Sequence, residues 1–445
     1  MARVVDMDKI VLDLVMTDDI EKKKFVAKKI LDMAYKKGIY PASIHQFYMA
    51  RGKGEVQGGF TVPAINLRAL TYDLARSIFR VAKRNNCGAF IFEIAKSEMG
   101  YTAQPPVEYS SVILAAAIKE AYRGPIFIQG DHIQVNAKKY AEDSEKELDS
   151  LKALIAEALE YHFYNIDIDS STVVDLSNPD VKKQQKSNFE ACAKLTQFIR
   201  QIQPKGIEVS VGGEIGEVGS KNSTPEDLRA FMQGYNESLR KGRTGISKIS
   251  IQTGTSHGGV VLPDGKIAEV KLDFETLRNL SKLAREEFGL AGAVQHGAST
   301  LPAEAFHKFA ETNTAEVHLA TEFQNMVYES KHFPADLKAR IYEWLKINAT
   351  SEKKAGDSEE QFIYKARKKA LGPFKKDIMG LSQEVRAAIA AEVEAKFEFL
   401  FKQLNSANNK DLVDKFVTLK RVIKRKSPEK EVTKQAVHHD GEGAD

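Results

Sequence analysis

The chain has 445 residues, of which 42% are hydrophobic and 28% charged, so it is long enough for one large globular domain with an appendage. The net charge of +4 is small and is concentrated near the end of the chain, around KRVIKRKSPEK, which argues against a nucleic-acid-binding body. No apolar run approaches membrane-spanning length, and the start of the chain is acidic where a signal peptide would be basic and then apolar. We therefore expect a soluble, cytoplasmic protein that binds neither nucleic acid nor a membrane. The two cysteines, Cys87 and Cys192, have no paired spacing and are expected to be reduced thiols.

Residues 1–57 are charged and have a helical period, which predicts an N-terminal helical segment. From residue 58 to 332, short apolar runs alternate with amphipathic helices. The eight predicted strands are, in chain order, GGFTVPAIN, CGAFIFEIA, PIFIQGDH, YNIDIDSS, IEVSVGGEIG, ISKISIQTG, LAGAVQHG and TAEVHLATE. Residues 333–423 are predicted to form a helical extension, and residues 424–445 a disordered polar tail.

The alternation of strands and helices predicts an α/β fold with a parallel sheet. Eight consecutive units favour a closed (β/α)8 TIM barrel over an open doubly wound sheet. An open sheet would also be expected to carry a glycine-rich dinucleotide turn after its first strand, and none follows FTVPAIN. We therefore predict a TIM barrel with an N-terminal helical cap and a C-terminal helical extension.

Two of the predicted strands end in a His-Gly pair, His257-Gly258 and His296-Gly297. In a barrel of this kind the active site lies at the C-terminal ends of the strands, so the residues that follow each strand can be collected as one set. That set contains Asp131, His132, Asp167, Asp169, Ser171, Glu214, His257, His296, Ser299, His318 and Thr321.

Three histidines and several carboxylates at one barrel mouth suit zinc or another divalent metal ion. Taken singly, each histidine could be an ordinary core or surface residue, Asp169 a strand-end cap and Glu214 a solvated turn residue. Their joint placement favours a metal centre.

The ordered series FTVPAIN, QGDH, IDIDSS, GGEIGEVG, GTSHGG, QHGAST and TAEVHLATE resembles the class II, metal-dependent fructose-bisphosphate aldolases and their ketose-bisphosphate relatives. The resemblance covers residues 58 to 330. It implies that zinc, or another divalent ion, is bound by His132, His257 and His296, and that Asp131 is the acid/base acting on the C4 hydroxyl. Asp169 and Glu214 match an alternative metal position or support the ligands. The implied substrate- and phosphate-binding residues are Gly258, Gly297 and Ser299, to which we add Asn66, His318 and Thr321.

Three departures from the family pattern bear on the activity. The mobile loop after the fifth strand has Asn222 near the position of the family's proton-shuttling glutamate, and an amide cannot do acid/base work. Glu217, Glu226 or Asp227 are the alternatives in that loop. On the eighth strand the family's Asn-x-Asp-Thr appears as HLAT, so His318 is either a core histidine or an extra ligand or proton carrier. The phosphate-binding serine of the second strand aligns with Ala95, with Ser97 two places on.

The predicted function is that of a metal-dependent aldolase that cleaves a phosphorylated ketose, by default fructose 1,6-bisphosphate, to dihydroxyacetone phosphate and an aldehyde. The alternatives are a ketose or ketose-phosphate 4-epimerase that uses the same retro-aldol step, and a non-catalytic partner subunit. The resemblance further implies a small-molecule sugar phosphate as ligand and a homo-oligomer, dimer or tetramer. Lys375 and Lys376 are candidates for the distal phosphate, and no barrel lysine stands out as a Schiff-base former.

Overall fold

The computed structural model describes residues 6–216, 221–254, 262 and 272–422. Its strands are β1 (Ile39–Ala42), β2 (Val62–Asn66), β3 (Ile91–Ala95), β4 (Gly124–Gln134), β5 (Asn165–Asp169), β6 (Ser210–Glu214), β7 (Lys248–Ile251), β8 (Ala293–Gln295) and β9 (Glu316–Leu319). Strands β2 to β9 pair in sequence order, all in parallel, and β9 pairs with β2. The sheet is therefore closed, and the predicted (β/α)8 barrel is confirmed.

Helices cover the outside of the barrel. The N-terminal ones are α1 (Met7–Met16), α2 (Ile20–Lys36) and α3 (His45–Gly52). Those between and after the barrel strands are α4 (Thr71–Arg84), α5 (Lys96–Tyr101), α6 (Pro106–Lys119), α7 (Ala137–Glu142), α8 (Ser144–Glu160), α9 (Val181–Gln184), α10 (Lys186–Ile202), α11 (Pro225–Ser238), α12 (Phe274–Phe288), α13 (His307–Glu311) and α14 (Thr321–Glu329). The C-terminal ones are α15 (Ala335–Asn348), α16 (Glu359–Ala366), α17 (Lys375–Met379), α18 (Gln383–Gln403) and α19 (Lys410–Phe416).

The N-terminal segment closes the lower end of the barrel. It contains the short strand β1, which the helical period did not predict and which pairs with the first residues of β4. Helix α3 then lies across the N-terminal ends of the strands. Tyr48 donates to Glu316 at the start of β9, and Arg51 donates to the carbonyls of Phe60 and Thr314. These contacts hold α3 against the N-terminal ends of the barrel strands, opposite the end at which active sites of this fold lie.

The C-terminal extension packs against the barrel helices and shares their core. Helix α18 buries Val393 and Phe397 and lies along α4, and the Phe397 ring is 4.8 Å from that of Phe323. Past α18, the Asn409 side chain accepts hydrogen bonds from the backbone of Gly88 and Ala89, just before β3. The extension is therefore part of the folded body. Both cysteines are buried free thiols, and residues 424–445, the predicted tail, lie outside the described residues.

Charged side chains occupy the barrel interior, where apolar layers are usual. The Lys248 amine lies 2.8 Å from the Asp167 carboxylate and also pairs with Glu316, and both partners come from other strands. Gln129 accepts from Lys248 at 2.7 Å and donates to Glu316 at 2.9 Å and to Glu93 at 3.1 Å. All five residues are buried. A buried charge without its partner is expensive, so this network constrains the whole barrel.

We found no helix among the described residues that is both long and apolar enough to cross a membrane.

Lys248→Met removes the cation that these carboxylates share. We expect it to lower the free energy of unfolding by about 3–5 kcal/mol, because the carboxylates stay buried without their partner. Urea unfolding followed by circular dichroism measures the change. As a control, Lys152→Met breaks a pair with Asp149 on the surface and should leave the midpoint nearly unchanged. An unaltered midpoint for Lys248→Met would show that the network is not needed for stability.

Candidate metal centre

A bulge in β4 directs two consecutive side chains to the barrel mouth. The pairing of β4 with β5 shifts between Gly130 and Ile133, and His132 lies in the left-handed region with a φ of 40°. In a regular strand, neighbouring side chains point to opposite faces, whereas a bulge re-aims one of them. A left-handed histidine is strained and persists only where its surroundings hold it. The bulge therefore lets Asp131 and His132 serve one site.

Asp131, His132 and His296 form a compact group of donors. One donor atom of each lies within 4.8 Å of the other two, and all three residues are buried. The rings of His132 and His296 are 4.3 Å apart, centroid to centroid, at an angle of 49°. Two imidazoles and a carboxylate at this spacing are donors that a divalent metal ion of intermediate softness accepts well. The buried groups are therefore positioned for a metal ion.

The carboxylates beside His132 are arranged as supports for a ligating histidine. Its Nδ1 lies 3.1 Å from Asp169 and 3.6 Å from Glu214. Asp169 is itself held by Ser171 and Gln134, each at 2.7 Å. A carboxylate that fixes one ring nitrogen orients the other toward a metal. His132, Asp169 and Glu214 are also close enough to share an ion, so both predicted roles of Asp169 and Glu214 stay predictions.

His318 lies among carboxylates, directly beside His296, and their ring centroids are 4.0 Å apart. Its Nδ1 is 3.0 Å from Glu93 and 3.2 Å from Asp131, and its Nε2 is 2.7 Å from Glu316. These are not the surroundings of an ordinary core histidine. Of the two sequence-based interpretations of His318, the contacts favour a role in the site.

The histidines and Asp131 stabilise each other's charged forms. Burial alone would raise the pKa of Asp131, but His132 and His318 hold it well below its ordinary value. Burial would likewise lower the pKa of His132, yet Asp131 and Asp169 raise it well above the ordinary value. A metal ion competes with the proton for the same imidazole lone pair, so binding at His132 would release a proton.

Other carboxylates at the mouth are harder to ionise. Burial raises the pKa of Glu93 to about 8 against the opposing effect of His318. Burial also raises the pKa of Asp167 to about 6, and burial together with Asp169 raises that of Glu214 well above its ordinary value. These carboxyl groups keep their protons more readily than exposed ones, and a divalent ion bound among them would favour their ionised forms.

The predicted substrate-binding residues line the same pocket as the histidines. Asn66, Gly297, Ser299, His318 and Thr321 all border it. Gly297 has a φ of 66°, which suits glycine, and the Ser299 hydroxyl accepts from the backbone N–H of the residue before Thr321 at 2.7 Å. His257 and Gly258, the remaining predicted members of the site, lie outside the described residues.

Arg68 and Glu98 also line the pocket, and neither was predicted from the sequence. The Arg68 guanidinium pairs with Glu98 at 2.6 Å and lies 3.4 Å from the Thr321 hydroxyl. Arg68 follows Asn66 by two residues, so the strand-end rule applied to the first barrel strand could have found it. Ala95 borders the pocket at the position where the family pattern has its phosphate-binding serine.

The two lysines suggested for the distal phosphate are engaged elsewhere. Lys375 pairs with Glu108 at 2.6 Å and donates to a backbone carbonyl, and Lys376 pairs with Asp18 at 2.6 Å. Neither borders the pocket that contains the histidines. Helix α17, which carries both lysines, packs beside α1. The role suggested for Lys375 and Lys376 at the distal phosphate therefore gains no support from these contacts and stays a prediction.

The loop after β6 has an amide where the family has its glutamate. Asn222 donates to Asp273 at 2.9 Å, and Asp273 caps helix α12. Asp227 is committed to a capping box with Thr224 at the start of α11, and Glu226 is exposed. Glu217 lies outside the described residues. Neither Asn222 nor Asp227 is thus available as a proton shuttle in this arrangement.

Lys248 is a buried barrel lysine, but its surroundings do not suit Schiff-base chemistry. That chemistry needs a neutral amine. Burial would lower the pKa of Lys248, but Asp167 and Glu316 raise it above the ordinary value. The ammonium form is therefore favoured, and Lys248 acts as a counter-ion.

The sequence model of class II fructose-bisphosphate aldolases matches residues 54–407. The chain therefore belongs to the class II fructose-bisphosphate aldolase family, a family of divalent-metal-dependent enzymes. This confirms the resemblance inferred from the strand-end motifs.

Solved structures with the same fold are distant in sequence. A probable tagatose 6 phosphate kinase from Sinorhizobium meliloti 1021 is 14% identical over 80% of this chain and 93% of that chain, with a TM-score of 0.52. The fructose-bisphosphate aldolase of Campylobacter jejuni is 18% identical over 81% of this chain and 93% of that chain, with a TM-score of 0.48. No curated protein sequence matches the chain. At 14% identity, the likeness to the first of these two structures supports the fold alone.

His132→Ala tests the donor group directly. We expect its affinity for Zn²⁺ to fall by at least ~100-fold, because losing even a supporting residue typically costs ~10–100-fold. Metal content after dialysis against a competing chelator measures the loss. The matched control is His307→Ala, an exposed histidine paired with Glu311, which should keep the wild-type metal content. A folded His132→Ala protein with unchanged zinc affinity would rule out His132 as a ligand.

Proposed function

We propose that this protein is a metal-dependent aldolase that reversibly cleaves a phosphorylated ketose, by default fructose 1,6-bisphosphate, to dihydroxyacetone phosphate and an aldehyde. The observation that carries the proposal is the meeting of Asp131, His132 and His296 in one buried group at the barrel mouth. Family membership supports a lyase-type reaction. The carboxylate provides a base, and the imidazoles provide metal ligands.

The donor set fits zinc. His132 and His296 would hold the ion together with His257, which lies outside the described residues. Asp169 would orient His132, and the Ser250 hydroxyl, 3.0 Å from Nε2 of His296, would orient the second imidazole. When bound, the ion supplies Lewis-acid stabilisation of negative charge on the ketose oxygens.

Asp131 would perform the proton transfer. Because His132 and His318 hold its pKa well below the ordinary value, Asp131 is ionised at neutral pH and can accept the proton of the C4 hydroxyl. The C4 hydroxyl then becomes the aldehyde carbonyl as the C3–C4 bond breaks, and the bonding electrons pass to C3 and the C2 carbonyl. In the reverse direction Asp131 returns the proton to the C4 oxygen.

A substrate phosphate would bind at Gly297 and Ser299, which border the pocket beside the histidines. The glycine lets the anion approach the backbone closely, and the serine supplies a hydroxyl. Arg68 provides a cation on the same pocket wall, and Glu98 shares its charge. These residues would therefore orient the substrate by binding its phosphate on this side of the mouth.

A 4-epimerase is the second candidate, and one observation favours it. An aldolase must protonate the nucleophilic carbon after cleavage, whereas an epimerase re-adds the aldehyde and needs no such proton. Asn222, near the position of the family's shuttling glutamate, donates its amide to Asp273 instead. The buried group of Asp131, His132 and His296 argues against a non-catalytic partner subunit, because such a subunit has no need of a metal set.

A coupled triose-phosphate assay separates these candidates. We expect chelator-sensitive release of triose phosphate from fructose 1,6-bisphosphate or its C4 epimer. Asp131→Asn should lower kcat by about 10²–10⁴-fold while keeping the bound metal, because only the base is lost. Asp149→Asn, a surface carboxylate paired with Lys152, is the control and should keep full activity.

Other results of this assay would select one of the alternative functions or reject the proposed base. Interconversion of the two ketoses without triose-phosphate release would select the epimerase. A folded, metal-loaded protein that turns over neither ketose would contradict the proposal and favour the non-catalytic subunit. An Asp131→Asn variant with wild-type kcat would reject Asp131 as the base.

A further inference from the structure

The C-terminal ends of β2 and β3 carry a buried polar cluster on the pocket wall. Asn66 ends β2, Arg68 follows it, Ala95 ends β3 and Glu98 lies in α5, and all four residues border the pocket. At the end of this second barrel strand the family pattern has a phosphate-binding serine, where this chain has Ala95. The chemistry of the cluster therefore bears on whether the substrate carries a second phosphate.

Glu98 takes up the charge of Arg68. One carboxylate oxygen of Glu98 accepts from Nε of Arg68 at 2.7 Å and lies 2.6 Å from its Nη2. The third nitrogen, Nη1, lies 3.4 Å from the Thr321 hydroxyl and 3.5 Å from the side-chain oxygen of Gln324. Arg68 is 9% exposed and Glu98 2%, so water screens the pair little. A guanidinium that shares its charge with a buried carboxylate attracts a further anion only weakly.

The pocket offers few cations for phosphate groups. Among the described residues, Arg68 is the one lysine or arginine that borders it. A phosphate at Gly297 and Ser299 would already draw on that guanidinium. Three carboxylates border the same pocket: Glu93, Glu98 and Asp131. A second phosphate at the end of β3 would therefore meet carboxylates without a cation of its own.

The C-terminal extension places a lysine near this cluster but not in the pocket. Burial and the charge of Arg68 lower the pKa of Lys368 to about 8. The Lys368 amine lies 5.9 Å from the centroid of the Tyr101 ring, and the residue does not border the pocket. Lys368 is therefore less readily charged than an exposed lysine and does not supply the missing cation on the wall.

The remaining groups of the cluster suit hydroxyls better than phosphate. The backbone N–H of Ala95 already donates to Glu98 at 2.7 Å. The side-chain amide of Asn66 also donates to Glu98, so its oxygen, Oδ1, faces away from that carboxylate. Asn66 is 1% exposed, and Oδ1 has no hydrogen-bond partner among the described residues. A substrate hydroxyl can donate to this oxygen, whereas a phosphate dianion offers only acceptors.

We propose that the substrate is a ketose 1-phosphate, so that the pocket binds one phosphate and the released aldehyde carries only hydroxyl groups. The proposal rests on the proposed function and narrows its default substrate. Dihydroxyacetone phosphate retains the phosphate of C1, so the single phosphate is the one on C1. The 1,6-bisphosphate would be cleaved less efficiently, because its second phosphate meets Glu98.

The reaction balances without a further reactant. Fructose 1-phosphate, for example, gives dihydroxyacetone phosphate and glyceraldehyde. The C3–C4 bond breaks, and its electron pair passes to C3 and the C2 carbonyl. The C4 hydroxyl loses its proton to Asp131, and that loss is balanced by the proton that C3 gains.

Release of dihydroxyacetone phosphate from two ketoses tests the proposal. Fructose 1-phosphate and fructose 1,6-bisphosphate, each alongside its C4 epimer, are given to the zinc-loaded full chain. Glycerol-3-phosphate dehydrogenase alone then counts dihydroxyacetone phosphate from either substrate. For the wild type we expect kcat/KM to be at least about tenfold higher for the 1-phosphate than for the bisphosphate.

Two variants should shift this preference. Glu98→Gln should move the ratio at least about tenfold toward the bisphosphate, mainly by lowering its KM, because Arg68 then no longer faces a carboxylate. Ala95→Ser adds the hydroxyl of the family pattern and should shift the ratio in the same direction. The matched control is Glu120→Gln, which changes a carboxylate paired with Arg76 outside the pocket and should keep the wild-type ratio.

The outcomes separate this proposal from the proposed function. A smaller wild-type preference, or a preference for the bisphosphate, would overturn the single-phosphate substrate and leave the aldolase intact. Release of dihydroxyacetone phosphate from none of the four ketoses would contradict the aldolase itself. An unchanged ratio in a folded Glu98→Gln protein would reject Glu98 as the residue that sets the preference. The wild-type ratio decides the question even if that variant fails to fold.

Discussion

The buried carboxylates of the barrel mouth are the constraint on which the rest of the site depends. A closed barrel brings the ends of eight strands to one rim, and here that rim carries far more acidic side chains than an apolar core tolerates. Lys248 neutralises part of this charge from below, through Asp167 and Glu316. His318 neutralises another part between Glu93 and Asp131. The donor groups that remain at the mouth, around His132 and His296, are positioned for a divalent metal ion.

Local backbone geometry makes the first donor group possible. Asp131 and His132 are neighbours in the chain and would point to opposite faces of a regular strand. The bulge in β4 and the left-handed backbone of His132 direct both toward His296. This strained conformation is held by the pairing of β4 on either side of the bulge and by the contact of His132 with Asp169. Strain of this kind is typically found at functional sites, where the surrounding structure fixes it.

The sequence alone predicted the barrel and most of the mouth for a simple reason. Eight alternating units have few other ways to fold, and the strand-end rule then gathers the residues that follow each strand. The sequence did not reveal the bulge in β4, because no residue pattern marks such a bulge. The strand-end rule also did not select Glu93, Lys248 and Glu316, because these residues lie inside strands rather than after them. A lone charged residue in an otherwise apolar strand was the available signal. Strand β1 was not predicted because its pairing with β4 is a tertiary contact, which a local sequence period does not encode.

The account depends most on one cation bridging His132 and His296. X-ray absorption at the zinc edge of the zinc-loaded protein measures this most directly. The account predicts a first shell of nitrogen and oxygen ligands at about 2.0–2.1 Å with outer-shell scattering from at least two imidazoles. The imidazole signal should fall by one ring in a His296→Ala protein. A first shell without imidazole scattering, or one unchanged in that variant, would contradict it.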